Sequence, residues 1–279
     1  MHVKGPVGPP TQHWNANATS YMSPVGSGDK TSETSGRAYS QKVGAWQYVT
    51  GLSVEASQDA GAIVAFGDSI TDGFVGSGRV PIPSDAAVND TNHRYPDALQ
   101  RRLSDEGAPV SVVNAGIGSN QLLVNAEPLF LGAAGVDRFK RDALDLPGVY
   151  GALVLIGIND LGLNPLVTTD KMIAGYKDLI RQARAQGKKI WLGTIVPASD
   201  ALVDGTLLAP NSNRIRNEIN DWIRTQDLAD GFVDFDAALR DPNNHAVMRA
   251  DYSSPDRLHP NPAGYQAMAD AVDLAIIRK

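Results

Sequence analysis

The sequence predicts an α/β protein. The expected architecture is a three-layer α/β/α sandwich around a five-stranded parallel sheet, preceded by a short β-rich extension. Three observations carry this. From Gly61 onward, short apolar runs alternate with segments of helical periodicity, which is the signature of a parallel sheet covered on both faces. The runs at 62–66 and 152–156 are continuously apolar, as in strands buried on both sides. Residues 1–60 have another texture: they are rich in Gly, Pro, Ser, Thr and Asn and hold two of the four tryptophans. The predicted domains are therefore 1–60 and 61–279.

In the extension, Ser20 to Ser23, Ala45 to Thr50 and Leu52 to Ala56 are candidate strands, separated by turn-forming runs such as Gly26-Ser27-Gly28-Asp29. About three short strands bury little alone, so this segment is expected to pack on the main domain or to pair with a second chain. In the main domain Ala62 to Phe66 is the first strand. Tyr95 to Leu103 is a helix, with Tyr95, Leu99 and Leu103 on one face. Val110 to Val113 is the second strand, Phe139 to Leu144 a helix, and Ala152 to Ile156 the third strand. Residues 170–186 form an amphipathic helix with Met172, Ile173, Tyr176, Leu179, Ile180 and Ala183 on one face, ended by Gly187. Lys189 to Val196 is the fourth strand, stopped by Pro197. Residues 212–228 are helical, Phe232 to Asp234 is a short fifth strand, and Pro262 to Ile277 is the last helix.

Composition removes several function classes. The net charge is −6, and no basic patch is long enough to suggest nucleic acid. No apolar run approaches the roughly 20 residues that span a bilayer. There is no cysteine, which removes disulfides, thiolate metal sites and cysteine nucleophiles together. The start lacks the apolar segment of a signal peptide. A removed leader would leave the same sequence, so the compartment stays open between secreted and retained.

Four short blocks fall at equivalent places in this pattern. The first strand runs straight into Phe66-Gly67-Asp68-Ser69-Ile70-Thr71-Asp72-Gly73. Ligands of open α/β sheets bind outside the carboxyl ends of the strands. Two glycines let the backbone turn sharply around Ser69, and a helix starting there aims free N–H groups over its hydroxyl. The second block is Asn114-Ala115-Gly116-Ile117-Gly118-Ser119-Asn120, and the third Gly157-Ile158-Asn159-Asp160. The fourth, Asp256-Arg257-Leu258-His259-Pro260, precedes the last helix. Taken singly, each reads as an ordinary turn or helix cap. His93 and His245 rival His259 as a base.

All four blocks, in this order, make residues 61–279 similar to the SGNH (GDSL) hydrolase superfamily of esterases and lipases. Asn114 to Leu123, Phe139-Lys140-Arg141-Asp142 and Leu155 to Asp160 resemble bacterial GDSL esterases that include acetylxylan-esterase-like members. The resemblance implies a flavodoxin-like sandwich and a serine ester hydrolase that needs no metal or cofactor. It implies Ser69 as nucleophile, His259 as general base and Asp256 as the group that orients His259. It implies oxyanion donors at the Ser69 and Ser119 backbones and the Asn159 side chain, with Gly118 second to Ser119. The family usually has glycine where Ser119 stands, so serine carries strain there if the position requires positive φ. Asp68, Asn120 and His245 are candidate substrate contacts, although Asp68 and Asp72 also suit a purely structural role in the turn.

The expected substrate is a small-molecule or carbohydrate ester with a short acyl group, acetate above all. A long-chain lipase is the alternative. The loops at 74–92, 120–137 and 198–211 are the candidate pocket walls. A second role, binding or self-association, falls to the edge strands of the extension, which invite pairing between subunits.

Overall fold

The structure is a computed structural model that describes all residues except 6–7, 9–11, 81–82, 84–87, 126–131, 202–210 and 279. The chain divides into two compact units. One comprises Met1–Val54 with Ser84–Asn92, the other Glu55–Pro83 with His93–Lys279.

Among its described residues the smaller unit holds two minimal antiparallel sheets. Strand β1 (Gln12–His13) pairs with β4 (Trp46–Gln47), and β2 (Ser20–Met22) pairs with β3 (Gln41–Val43). Asp90 fastens residues of this unit by accepting from both the backbone N–H and the hydroxyl of Thr19, each at 2.6 Å. The expected strand at Leu52 to Ala56 does not form, and that at Ala45 to Thr50 shrinks to two residues. Leu52 is 90% and Val54 76% exposed, so their β-prone side chains find no sheet face to bury against.

The larger unit is the predicted sandwich. Its strands are β5 (Gly61–Gly67), β6 (Val110–Gly116), β7 (Val149–Leu155), β8 (Lys189–Gly193) and β9 (Gly231–Val233). All neighbours are parallel, in the order β6-β5-β7-β8-β9. The central strands hold the apolar core: Ile63 to Phe66 and Ala152 to Val154 are fully buried. One helix layer contains α2 (Tyr95–Asp105) and α8 (Pro262–Asp270), which pack together. The other contains α3 (Gly135–Phe139, continued by a wider π turn over Lys140–Leu144), α5 (Thr169–Ala185) and α6 (Ser212–Thr225). Helix α5 forms as its sequence requires. Thr168 caps Lys171 N–H, Met172, Tyr176, Leu179 and Ala183 are fully buried, and Gly187 follows at φ +64.

Some boundaries differ from expectation, for readable reasons. Strand β8 stops at Gly193 rather than Val196 because α6 takes over the backbone: Asn220 accepts from Ile195 N–H and donates to Ile195 C=O. The last helix breaks in two, because Asp273 caps a separate turn, α9 (Leu274–Ile277). Among the described residues of the larger unit, two short α-helices were not expected: α4 (Ile158–Leu163), directly after β7, and α7 (Phe235–Leu239), capped by Asp234.

Strand order 2-1-3-4-5 places the topological switch point between the first and third strands of the sheet, here β5 and β7. Register then sets the site. Gly67 at the end of β5 lies opposite Gly116 of β6 and Leu155 of β7. The first three blocks therefore leave the sheet at one height.

Candidate active site

Ser69 is the first residue of α1 (Ser69–Asp72) and is 7% exposed. Asp68, at the N-cap, accepts from Ile70 N–H at 3.0 Å, and Gly73 closes the turn at φ +91. Gly67 must be glycine: a Cβ there would sit 2.2 Å from the Leu155 carbonyl and 2.2 Å from the Thr71 hydroxyl. The turn is pinned from outside by Asn114 Nδ2 and Arg94 Nε, which donate to the carbonyls of Thr71 and Asp72.

The Ser69 hydroxyl lies 2.8 Å from His259 Nε2, and His259 Nδ1 lies 2.7 Å from Asp256 Oδ2. A carboxylate only accepts, so Nδ1 carries the proton and donates to it. A neutral imidazole has one N–H, so Nε2 accepts from Ser69. Asp and His three residues apart meet because the chain folds back on itself: Asp256 Oδ1 accepts from the N–H groups of Leu258 and His259, and Ser254 N–H donates to His259 C=O. Arg257 sits at φ +63 in this turn, and its guanidinium reaches Asp200 at 3.1 Å. Burial pulls the Asp256 carboxyl upward, but the hydrogen bond and charge of His259 and the two backbone donors prevail and hold it below the ordinary carboxylate range. The Phe74 ring packs against the imidazole at 4.5 Å between centroids.

The rival histidines stand elsewhere. His93 Nε2 donates to the Gly73 carbonyl at 2.7 Å, so that nitrogen is not a free base. His245 contributes its backbone carbonyl to Arg216, and no described contact joins its ring to Ser69.

The oxyanion candidates are linked in a chain. Ile117 N–H donates to Gly67 C=O, tying the second block to the first. Asn159 Nδ2 donates to Asn120 C=O at 3.1 Å, tying the third to the second. An amide nitrogen has two hydrogens, so one of the Asn159 donors remains for a ligand. Asp160 accepts from the N–H groups of Leu122 and Leu123 and repeats the tie between these blocks. The left-handed backbone falls on Ser119, at φ +60, and not on Gly118. Asp68 and Asn120 are 1% and 0% exposed, and both have structural partners: Asn120 donates to Ala133 C=O and accepts from Arg138 Nε.

Burial pushes Asp68 up to about 7 despite the Ile70 N–H bond, and the Asp160 charge adds to the rise. Burial likewise takes Asp160 to about 6, against the pull of its two backbone donors. Arg138, 1% exposed, is brought down to about 10 by burial. Sequence reasoning passed over Arg138 and Gly76. A Cβ on Gly76 would lie 2.2 Å from Asp256 Oδ2. Neither position has a sequence signal that sets it apart from surface arginines or loop glycines. Of the predicted pocket walls, residues 81–82, 84–87, 126–131 and 202–210 lie outside the described residues. Among the described residues, no group of three or more His, Asp or Glu side chains forms a metal-binding arrangement. No helix among them is long and apolar enough to cross a membrane.

A flavodoxin-like sandwich with a serine, an imidazole and a carboxylate in series at its switch point defines a class of protein, the carboxylic ester hydrolases of the SGNH type. The chain belongs to the GDSL-like lipase/acylhydrolase family, whose sequence model matches residues 65–267. No curated protein matches the chain by sequence. Solved structures of similar fold include an aryl esterase of M. Smegmatis, at 16% identity over 76% of this chain and 96% of that one, with a TM-score of 0.60. A carbohydrate acetylesterase from Sinorhizobium meliloti has 14% identity over 75% and 95% of the two chains, with a TM-score of 0.59. A GDSL-like lipase from Bacteroides thetaiotaomicron has 17% identity over 80% and 91%, with a TM-score of 0.57.

Proposed function

We propose that the enzyme hydrolyses short-chain esters, acetyl esters above all, through an acyl-serine formed on Ser69. The observation that carries this is the unbroken series Ser69 Oγ, His259 Nε2, His259 Nδ1, Asp256 Oδ2, at 2.8 and 2.7 Å. In the proposed reaction Ser69 Oγ attacks the ester carbonyl while its proton passes to His259 Nε2. Ser69 N–H, Ser119 N–H and the second Asn159 N–H receive the oxyanion. Collapse expels the alcohol, which takes the proton from Nε2. Water then repeats the sequence on the acyl-serine, releasing the acid and free Ser69. Asp256 stays ionised throughout and steadies the imidazolium.

Two considerations support a short acyl group. The serine is only 7% exposed, and Phe74 and Val75, five and six residues further along, are 8% and 6% exposed. The structural neighbours named above include a carbohydrate acetylesterase, which favours acetylated sugars among the alcohols. We further propose that the chemistry resides in residues 61–279, since Ser69, Asp256 and His259 all fall inside the family match. The extension is proposed to mediate self-association, supported by exposed Tyr21 and Trp46 in its short strands and exposed Trp14 next to one. Removal of residues 1–60 is then expected to lower the number of chains per particle in solution, and an unchanged number removes that role.

The deciding experiment is hydrolysis of p-nitrophenyl esters from acetate to palmitate by the wild type and Ser69→Ala. Fast acetate and butyrate turnover is expected, with a drop of at least about 10³-fold in the variant. Preference for palmitate replaces the short-acyl reading with a lipase. Retained turnover in Ser69→Ala overturns the nucleophile assignment.

A further inference from the structure

We infer that Arg138 is the positioning residue that sets the oxyanion hole, acting through the backbone carbonyls beneath it. This inference rests on the acyl-serine reading above.

Arg138 lies in α3, outside all four sequence blocks, yet its side chain is fully buried. Its fork spans the first two blocks. Nη2 donates to Gly67 C=O at 2.7 Å, at the end of β5 and two residues before Ser69. Nη1 donates to Ala115 C=O at 3.0 Å, at the end of β6. Nε donates to Asn120 Oδ1 at 2.9 Å, in the residue that follows Ser119. The Asn120 carbonyl in turn holds the Asn159 amide. Each candidate donor is thus within a few bonds of one planar group. The guanidinium plane is fixed from below as well, with its central carbon 3.9 Å from the centre of the Phe66 ring.

A core that needed only stability would not favour this arrangement. A buried arginine carries a desolvation penalty, and among the described residues the carboxylate paired with it, Asp142, is 3.3 Å away and 22% exposed. What the group supplies is geometry. Five N–H donors in a rigid fork can serve three carbonyl oxygens at once, whereas a lysine ammonium is a point charge on a flexible stem. Ser119 holds a left-handed backbone at φ +60. A turn under that strain needs an external brace, and the Asn120 side chain is braced by Arg138 Nε and anchored to Ala133 C=O.

The test measures kcat and KM for p-nitrophenyl acetate, and inhibition by phenylboronic acid, in wild type, Arg138→Lys, Arg138→Met and Asn120→Ser. Ser69→Ala serves as the control. Boronic acids form a tetrahedral adduct on an active serine and so report on the oxyanion hole. Displacement of donors by a fraction of an ångström is expected to lower kcat by roughly 10- to 100-fold in Arg138→Lys. KM should stay within about threefold, since the loss is confined to the transition state. Boronate affinity should fall in step with kcat, and Asn120→Ser should show the same signature, smaller. A merely structural role would shift thermal stability without this split. If Arg138→Met does not fold, Arg138→Lys and Asn120→Ser decide. Unchanged kcat in both, or lost kcat with unchanged boronate affinity, overturns the inference. If Ser69→Ala itself retains turnover, the acyl-serine reading fails first, and the two failures are told apart by that control.

Discussion

Ser119→Gly should make this enzyme more stable. Ser119 stands at φ +60, in the left-handed region, where a Cβ crowds the following carbonyl oxygen. That conformation costs roughly 1–2 kcal/mol for an ordinary residue. Among the described residues no side-chain hydrogen bond of Ser119 offsets it. Glycine removes the crowding but gives the unfolded chain more freedom, which takes back roughly 0.4–1 kcal/mol. The balance is a gain on the order of 0.5–1 kcal/mol, or a rise of about 1–4 °C in Tm for a protein of this size. The backbone N–H is untouched, so kcat should hold within a few-fold. Ser119→Val is the counter-experiment: a β-branched residue at positive φ is a genuine outlier and should lose roughly 1–3 kcal/mol. Both are read by thermal and urea denaturation at one pH beside kinetics. If Ser119→Gly leaves Tm unchanged or lowers it, the serine is not strained and the argument from backbone geometry is wrong.

Three other outcomes are expected. Gly76→Ala places a methyl group 2.2 Å from Asp256 Oδ2 on a backbone that is not left-handed, so packing alone is perturbed. It should lower kcat by roughly 10²-fold with the fold intact, and normal turnover would show that the carboxylate position is not critical. Asp256→Asn offers Nδ1 a group that can donate and so disturbs the tautomer, and should reduce kcat by about 10³- to 10⁴-fold, read by burst kinetics. Asp68→Asn keeps the oxygen that caps Ile70 but removes a buried acid. Asp68 titrates near 7 when folded against 3.8 in the unfolded chain, so the folded state holds an extra proton between those values. Its stabilising effect is full below pH 3.8 and is lost as pH rises towards 7. The variant should therefore gain on wild type between pH 5 and pH 8 in urea midpoints, and a gap independent of pH would remove Asp68 as the cause.

The fold was legible because its signals are local and repeated. Ile63 to Phe66 and Ala152 to Val154 advertise double burial through unbroken apolar runs, and α5 shows its periodicity over several turns. The Ser69, Asp256 and His259 contacts were legible for another reason: they lie in blocks whose order resembles a known family, and the structure brings their side chains within hydrogen-bond distance. What escaped the sequence was whatever depends on three-dimensional exchange of partners. The end of β8 is decided by Asn220, which lies 25 residues further along the chain from Ile195. The strand expected at Leu52 to Ala56 had the composition but no sheet to join. Arg138 looked like any helix arginine until Gly67, Ala115 and Asn120 were seen to converge on it.

The closeness of Asp256 and His259 along the chain has a mechanical consequence. The aspartate holds the backbone of the very turn that carries the histidine, and Ser254 Oγ buttons the same turn to Pro260 C=O. Carboxylate and imidazole form one stiff hinge plate, with their mutual alignment set inside a handful of residues. Between this plate and Ser69 there is one hydrogen bond, at 2.8 Å, so loosening of the surrounding loops reaches the Ser69–His259 contact through that distance.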